Sequence, residues 1–183
     1  MSIPAVDFAQ SIQKQRLNYK AGGFGVSLFF SWFLAATIIF CGCIPFIDKH
    51  MHPTIISTCI TIVIIIWMIA NLVLMNALFK VPGTDIDNNR KNMVAAFNEV
   101  YDDLKMNDEG LVIIRSIKYS NNDINYYNSK RGKVITILFD DKDVYLNITS
   151  VFRGDSPSPV NGFYNYLKCK QVARIFLSKQ AGL

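Results

Sequence analysis

The residues that most often carry out chemistry in proteins are few in this sequence, and they are not grouped at the usual spacings. The two histidines, His50 and His52, are separated by one methionine, and two imidazoles without a third ligand do not make a zinc site. The four cysteines, at positions 41, 43, 59 and 169, include no Cys-x-x-Cys pair, and we interpret them as small buried hydrophobic residues. These residues predict neither a metal centre nor a disulfide framework.

One acidic cluster resembles a cation site. It consists of Asp140, Asp141 and Asp143, but it lacks the glycine and the terminal glutamate of a calcium loop, so we interpret it as a turn between strands. The sequence also has no phosphate-binding loop, no Gly-x-Ser-x-Gly motif and no His-Glu-x-x-His motif. We therefore expect a non-enzymatic protein with no catalytic residues, no cofactor and no bound metal.

The most prominent feature of the sequence is a pair of long uncharged runs, and the elements they form would position any functional residue. No Asp, Glu, Lys or Arg occurs in residues 21–47 or 50–79, and about 20 apolar helical residues suffice to cross a bilayer. The runs predict a transmembrane hairpin. The expected organisation is a cytoplasmic segment (1–23), a hairpin (24–79, with spans at about 24–47 and 53–79) and a cytoplasmic domain (80–183).

Basic residues beside the runs indicate an orientation. Lysine and arginine occur at positions 14, 16, 20, 80, 90 and 91, at the outer ends of the hairpin, whereas its turn has only Lys49. This asymmetry predicts that both termini are cytoplasmic. We accordingly expect an integral membrane protein of a bacterial inner membrane, in contact with the lipid bilayer. The net charge of +5 is too small and too dispersed to indicate nucleic-acid binding.

A stripe of small and polar residues in the second run is predicted to form a transmembrane interface. Its members are Thr54, Ser57, Thr58, Thr61 and Asn71. Such groups gain roughly 1 kcal/mol each from interhelical partners in a membrane, and two helices alone leave several of them without one. We therefore expect a homo-oligomer or a larger membrane complex.

The chain from residue 80 has the pattern of an α+β domain. Apolar residues at three- and four-residue spacing predict an amphipathic helix over Asp85–Asn107. Runs at 111–119, 133–139 and 144–152, with a short edge run at 124–128, predict a sheet of three or four antiparallel strands with one covered face. A final amphipathic helix is predicted from Asn161 to about Lys179. The side chains expected to pack together are Phe97, Leu104, Leu146, Ile148, Val172 and Phe176.

The final helix is predicted to have two apolar faces. One face is expected to be buried and contains Tyr166, Cys169, Val172, Ala173 and Phe176. A second strip, with basic neighbours, contains Phe163, Leu167, Lys170, Arg174 and Leu177. We interpret this strip as a contact surface for a membrane, a partner or another protomer, with ordinary exposed apolar residues as the alternative.

Two classes of function follow from this organisation. The first is a membrane-anchored binding or regulatory module, or an accessory subunit, that acts at the inner face of the membrane. The alternative is a membrane-disrupting effector whose cytoplasmic domain senses a signal, for example a cyclic nucleotide in anti-phage defence, and drives the hairpins to oligomerise. In its layout alone the chain resembles two-span effectors of cyclic-oligonucleotide signalling, and this resemblance implies no site residues. The sequence identifies no small ligand.

Overall fold

The computed structural model describes residues 5–19, 51–101, 107–108, 110–119, 132–151, 157–158 and 161–182, with backbone alone at 51–61, 107–108, 117–119 and 157–158. The helices in these residues are α1 (Phe8–Lys14), α2 (Met51–Met75), α3 (Ile86–Val100) and α4 (Gly162–Gln180). The strands are β1 (Phe79–Pro82), β2 (Asn107–Asp108), β3 (Ile113–Tyr119), β4 (Gly132–Asp140), β5 (Asp143–Val151) and β6 (Pro157–Ser158).

The strands form one antiparallel sheet in the order β1-β5-β4-β3-β2, with β6 pairing to the end of β5. Strands β3, β4 and β5 follow one another as the meander that the sequence predicts. The β4–β5 connection is a tight turn in which Asp140 pairs with Asp143 and Asp141 has a positive φ of 46°. The acidic cluster is therefore the predicted turn. The predicted edge run at 124–128 lies outside the described residues.

Helices α3 and α4 cover one face of the sheet. Asp85 caps α3 by accepting a hydrogen bond from the Asn88 backbone N–H at 3.0 Å, and the helix ends at Val100, earlier than the predicted Asn107. The predicted core is largely confirmed, because five of its six residues belong to one buried cluster: Phe97, Leu146, Ile148, Val172 and Phe176. The sixth, Leu104, lies outside the described residues.

The opposite face of the sheet is also covered, so the prediction of a sheet with one covered face is wrong. Every residue from Val134 to Phe139 and from Val144 to Val151 is buried. The N-terminal segment packs on this second face, where Val6 and Leu17 contact Leu138 and Tyr145. The backbone N–H of Leu17 donates to the Asn76 carbonyl at 2.8 Å, which ties this segment to the chain after α2. Residues 5–19 thus pack with the sheet rather than forming a separate segment.

The predicted transmembrane hairpin is wrong as well. In the part of the chain that the structure describes, no helix combines the length and the apolar character needed to span a membrane. The second apolar run does not continue to residue 79 as one span, since α2 ends at Met75 and Phe79 already belongs to β1. Asn71 and Met75 are only 2% and 3% exposed, because the last turns of α2 pack against the sheet and α4. A membrane span would instead present this end to lipid.

The other membrane predictions depended on that hairpin. The first run, 24–47, lies outside the described residues. The expected integral-membrane location, in a bacterial inner membrane with both termini cytoplasmic, is therefore corrected together with the hairpin. What remains of the predicted fold class is an α+β arrangement in which the antiparallel sheet has α3 and α4 on one face.

Candidate interaction surface

The start of α4 is held against the end of α2 at very short range. A Cβ atom at Gly162 would overlap the carbonyl oxygen of Asn71, so only glycine permits this approach of the two helices. The Asn71 side chain accepts a hydrogen bond from the Phe163 backbone N–H at 3.0 Å and donates to the Trp67 carbonyl at 2.9 Å. Because helix N-termini leave backbone N–H groups unpaired, Asn71 serves as a capping residue supplied by another helix.

The far end of α4 is held by polar contacts. Lys179 forms an ion pair with Glu99 of α3. The Gln180 side chain donates at 2.8 Å to the buried amide oxygen of Asn89, which also accepts from the Thr84 backbone N–H at 2.9 Å. The buried face of α4 contains Cys169, Val172, Ala173 and Phe176. The helix is therefore fixed at both ends and along this face.

The five residues of the predicted second strip all lie on the exposed side of α4. We call this strip the α4 stripe: Phe163, Leu167, Lys170, Arg174 and Leu177. Its apolar members, Phe163, Leu167 and Leu177, are 50%, 46% and 41% exposed. The members follow one another at spacings of four, three, four and three residues, which is the spacing of a coiled-coil seam. The stripe is thus a continuous seam on a rigid helix, apolar at its ends and basic at its centre.

Of the predicted transmembrane interface, the structure describes one side chain, that of Asn71. Asn71 points into the domain, where it bonds to α4, and is not available to a lateral partner. The side chains of Thr54, Ser57, Thr58 and Thr61 lie outside the described residues. The described part of α2 has a different exposed surface, made of eight large apolar side chains that are 36–65% exposed: Ile62, Val63, Ile64, Ile65, Ile66, Trp67, Ile69 and Val73.

In the part of the chain that the structure describes, the thiol and the acidic groups are poorly placed to act as a nucleophile or as metal ligands. Burial raises the pKa of the Cys169 thiol to about 12, so it stays protonated and unreactive. Among the described residues, no group of three or more His, Cys, Asp or Glu side chains could hold a metal ion. An open depression beside the β4–β5 turn is lined by Asp85, Ile86 and the turn residues 140–143, and there Asp143 pairs with Lys80 at 2.8 Å.

The sequence did not predict one cluster of lysine and tyrosine side chains. Lys133 at the start of β4 lies close to Tyr101, Tyr164 and Lys168, which come from distant parts of the chain. The four residues have no common spacing that a sequence pattern would reveal. The one signal available was that Tyr164 and Lys168 are four residues apart on a predicted helix.

Comparisons with known proteins show no relationship: no protein-family model matches the chain, and no curated protein or solved structure is significantly similar to it. The function of this chain must therefore be inferred from its own residues.

Proposed function

We propose that this chain is a non-enzymatic binding module that recognises a helix of another protein through the α4 stripe. The observation that supports this is the exposed coiled-coil spacing of the stripe on a helix held at both ends. Amphipathic helices dock in this way by placing apolar residues at intervals of three and four against a matching surface. A binding role of this kind requires no membrane anchor.

The charges of the stripe indicate which helix would bind. Lys170 and Arg174 are exposed at the centre of the seam, so a partner with glutamate or aspartate at its central positions and apolar residues at its ends would complement both parts. A second copy of α4 docked antiparallel would instead place Lys170 against Lys170, because this residue is midway between Phe163 and Leu177. Like charges in contact are unfavourable, and the stripe therefore favours an acidic amphipathic helix over itself.

A pair of synthetic helical peptides would test this proposal. One carries leucine at the outer seam positions and glutamate at the two central ones, and the other differs only in having lysine at the centre. We expect the full chain to bind the glutamate peptide roughly 2- to 30-fold more tightly, because two exposed ion pairs contribute about 0.2–1 kcal/mol each. Fluorescence anisotropy with labelled peptides would measure both affinities.

Charge reversal provides the decisive comparison. The double variant Lys170→Glu, Arg174→Glu should reverse the preference in favour of the lysine peptide, whereas Lys91→Glu, an exposed residue of α3, should leave it unchanged. Leu167→Asp should abolish binding of both peptides. Equal affinities for the two peptides, or the same reversal in the Lys91 variant, would show that the stripe is not a recognition surface.

We further propose that the exposed apolar surface of α2 is a contact between copies of this chain. The surface contains no charged residue that would select a different partner, and an apolar patch can meet its own copy across a two-fold axis. A patch of this extent is unusual on the surface of a monomer.

Self-association would be visible in sedimentation of the full chain. Ile66→Glu should convert an oligomer into a smaller species, because it places a charge among these exposed apolar side chains, where Ile66 is 61% exposed. Leu111→Glu is the matched control, since Leu111 is 77% exposed and belongs to a different part of the molecule. A monomeric full chain, or an oligomer unaffected by Ile66→Glu, would rule out this contact.

A further inference from the structure

A second group of polar residues lies on the flank of α4, away from the stripe. The ammonium group of Lys133 is 5.1 Å from the centre of the Tyr164 ring and 5.5 Å from that of Tyr101. The ammonium group of Lys168 is 5.8 Å from the same Tyr164 ring. Two cations thus meet at one aromatic side chain that is itself 53% exposed. We call Lys133, Lys168, Tyr101 and Tyr164 the lysine–tyrosine cluster.

The positive charge of this cluster is not balanced within the part of the chain that the structure describes. Neither lysine forms an ion pair there, in contrast to Lys80 and Lys179, which pair with Asp143 and Glu99. Lys133 is half-buried, and its desolvation, together with the charge of Lys168, lowers its pKa. Ring faces attract a cation but do not neutralise it. An anion at this position would relieve both the desolvation of Lys133 and its repulsion by Lys168.

Two buried polar atoms, one on Tyr101 of the cluster and one on Asn165, the residue after Tyr164, also lack a hydrogen-bond partner among the described residues. The Tyr101 hydroxyl is buried and unpaired, and burial raises its pKa, so it remains a proton donor. The amide oxygen of Asn165 is also unpaired, although Asn165 is only 1% exposed and its amino group donates to Ser150 at 3.0 Å. Ser150 lies directly opposite Lys133 in the sheet. Unpaired buried polar groups are unfavourable, and a ligand that bonds to them would remove this cost.

We infer that Lys133 and Lys168, together with the Tyr101 hydroxyl, form a binding site for a small phosphate-bearing molecule. Phosphate oxygens accept charge-assisted hydrogen bonds from ammonium groups and a further bond from a phenol. Three donors from β4, α4 and the end of α3 would then surround one anion. The Asn165 oxygen can accept from a hydroxyl group of the ligand or from a bridging water. This site is separate from the α4 stripe, and neither proposal depends on the other.

Calorimetric titration of the full chain with inorganic phosphate and with pyrophosphate would test the site. We expect pyrophosphate to bind more tightly, because it offers more charge to two lysines. Lys133→Gln and Lys168→Gln should each weaken binding about tenfold, and Tyr101→Phe should weaken it about two- to tenfold, the range for loss of one hydrogen bond. Lys91→Gln removes the same charge from an exposed position of α3 and should have no effect.

Several results would overturn this inference. Absence of binding to the unaltered chain would do so, and so would an equal loss in Lys91→Gln, because the binding would then be diffuse attraction to a basic surface. If Lys133→Gln does not fold, as judged by circular dichroism, Lys168→Gln and Tyr101→Phe carry the test. Lys133→Arg keeps the charge and should retain most of the affinity. Retention of full affinity in both Lys168→Gln and Tyr101→Phe would exclude the site.

Discussion

Replacing Phe176 with alanine is expected to lower the free energy of unfolding by about 3–5 kcal/mol. The Phe176 ring is completely buried between α4 and the sheet, in the cluster that also contains Phe97 and Leu146. Truncation loses the burial of the ring and leaves a cavity that surrounding side chains fill only in part. Because small domains are stable by only about 5–15 kcal/mol, this loss would be a large part of the total. Urea unfolding of the full chain, followed by circular dichroism, would measure it.

Phe163→Ala is the matched control for this experiment. The same side chain is removed from the same helix, but Phe163 is 50% exposed and its backbone N–H keeps its bond to Asn71. We expect a change of less than about 1 kcal/mol. Similar losses in the two variants would mean that α4 does not pack on the sheet through the face that contains Phe176.

The helices and strands that could be predicted are those in which the spacing of apolar residues matches the period of a helix or a strand. The end of the chain shows this, because Cys169, Val172 and Phe176 recur at helical spacing and are indeed the buried face of α4. Strands β4 and β5 are separated by a run of aspartates and a lysine, residues 140–143, which break the apolar pattern where the structure turns. In both cases residues close together in the sequence determine the element, so it can be predicted without knowledge of distant contacts.

The second apolar run was misinterpreted because its end is determined by distant residues. Composition alone does not show where such a run ends, because Met75, which is buried in the domain, and Phe79, which belongs to β1, are as apolar as residues that would face lipid. The run is divided after Met75 by contacts with β5 and α4, which are about 70 and 90 residues away in the sequence. Strand β1 was missed for the same reason, since Phe79 and Val81 are apolar in either interpretation and pair with β5 only in the folded chain.

The same distinction separates the two candidate sites. The α4 stripe could be predicted, because its members are on one helix and a helical period assigns them to one side. The lysine–tyrosine cluster could not, because Tyr101, Lys133 and Tyr164 come from three separate elements and meet only after the sheet and α4 are assembled. What the sequence cannot show in either case is the partner, since binding depends on a second molecule.

The alternation in β5 was misleading for a different reason. Asn147 and Thr149 alternate with apolar residues and were therefore expected on a solvent-exposed face, yet each is only 2% exposed. Their polar groups are used internally: the Asn147 amino group donates to the carbonyls of Met75 at 3.0 Å and Ala77 at 2.9 Å. A polar residue in a strand thus indicates either water or a buried partner, and periodicity does not separate the two.

Because of these contacts, replacing Asn147 with leucine is also expected to lower the free energy of unfolding. The side chain has a similar size, so the main change is that the buried Met75 carbonyl and the partly buried Ala77 carbonyl lose this donor. A buried group without a partner costs roughly 1–3 kcal/mol, and because Thr149 can still donate to Met75, we expect the free energy of unfolding to fall by about 1–3 kcal/mol. Urea unfolding of the full chain would measure this loss. A change below 1 kcal/mol would mean that water reaches these carbonyls and that the end of α2 is not sealed against the sheet.

Thr149 makes the prediction sharper, because its hydroxyl has one proton and two acceptors within reach. The Asn147 oxygen is 2.7 Å away and the Met75 carbonyl 3.3 Å away, so the proton goes to Asn147 in the native protein. In Asn147→Leu it can turn to Met75 and satisfy one of the abandoned carbonyls. Removing it by Thr149→Val should still cost stability in that background, because the Met75 carbonyl then has no donor, just as the same change in the native protein leaves the Asn147 oxygen unpaired. We therefore expect the two losses to be close to additive. A double variant as stable as Asn147→Leu alone would show that Thr149 does not turn to the Met75 carbonyl.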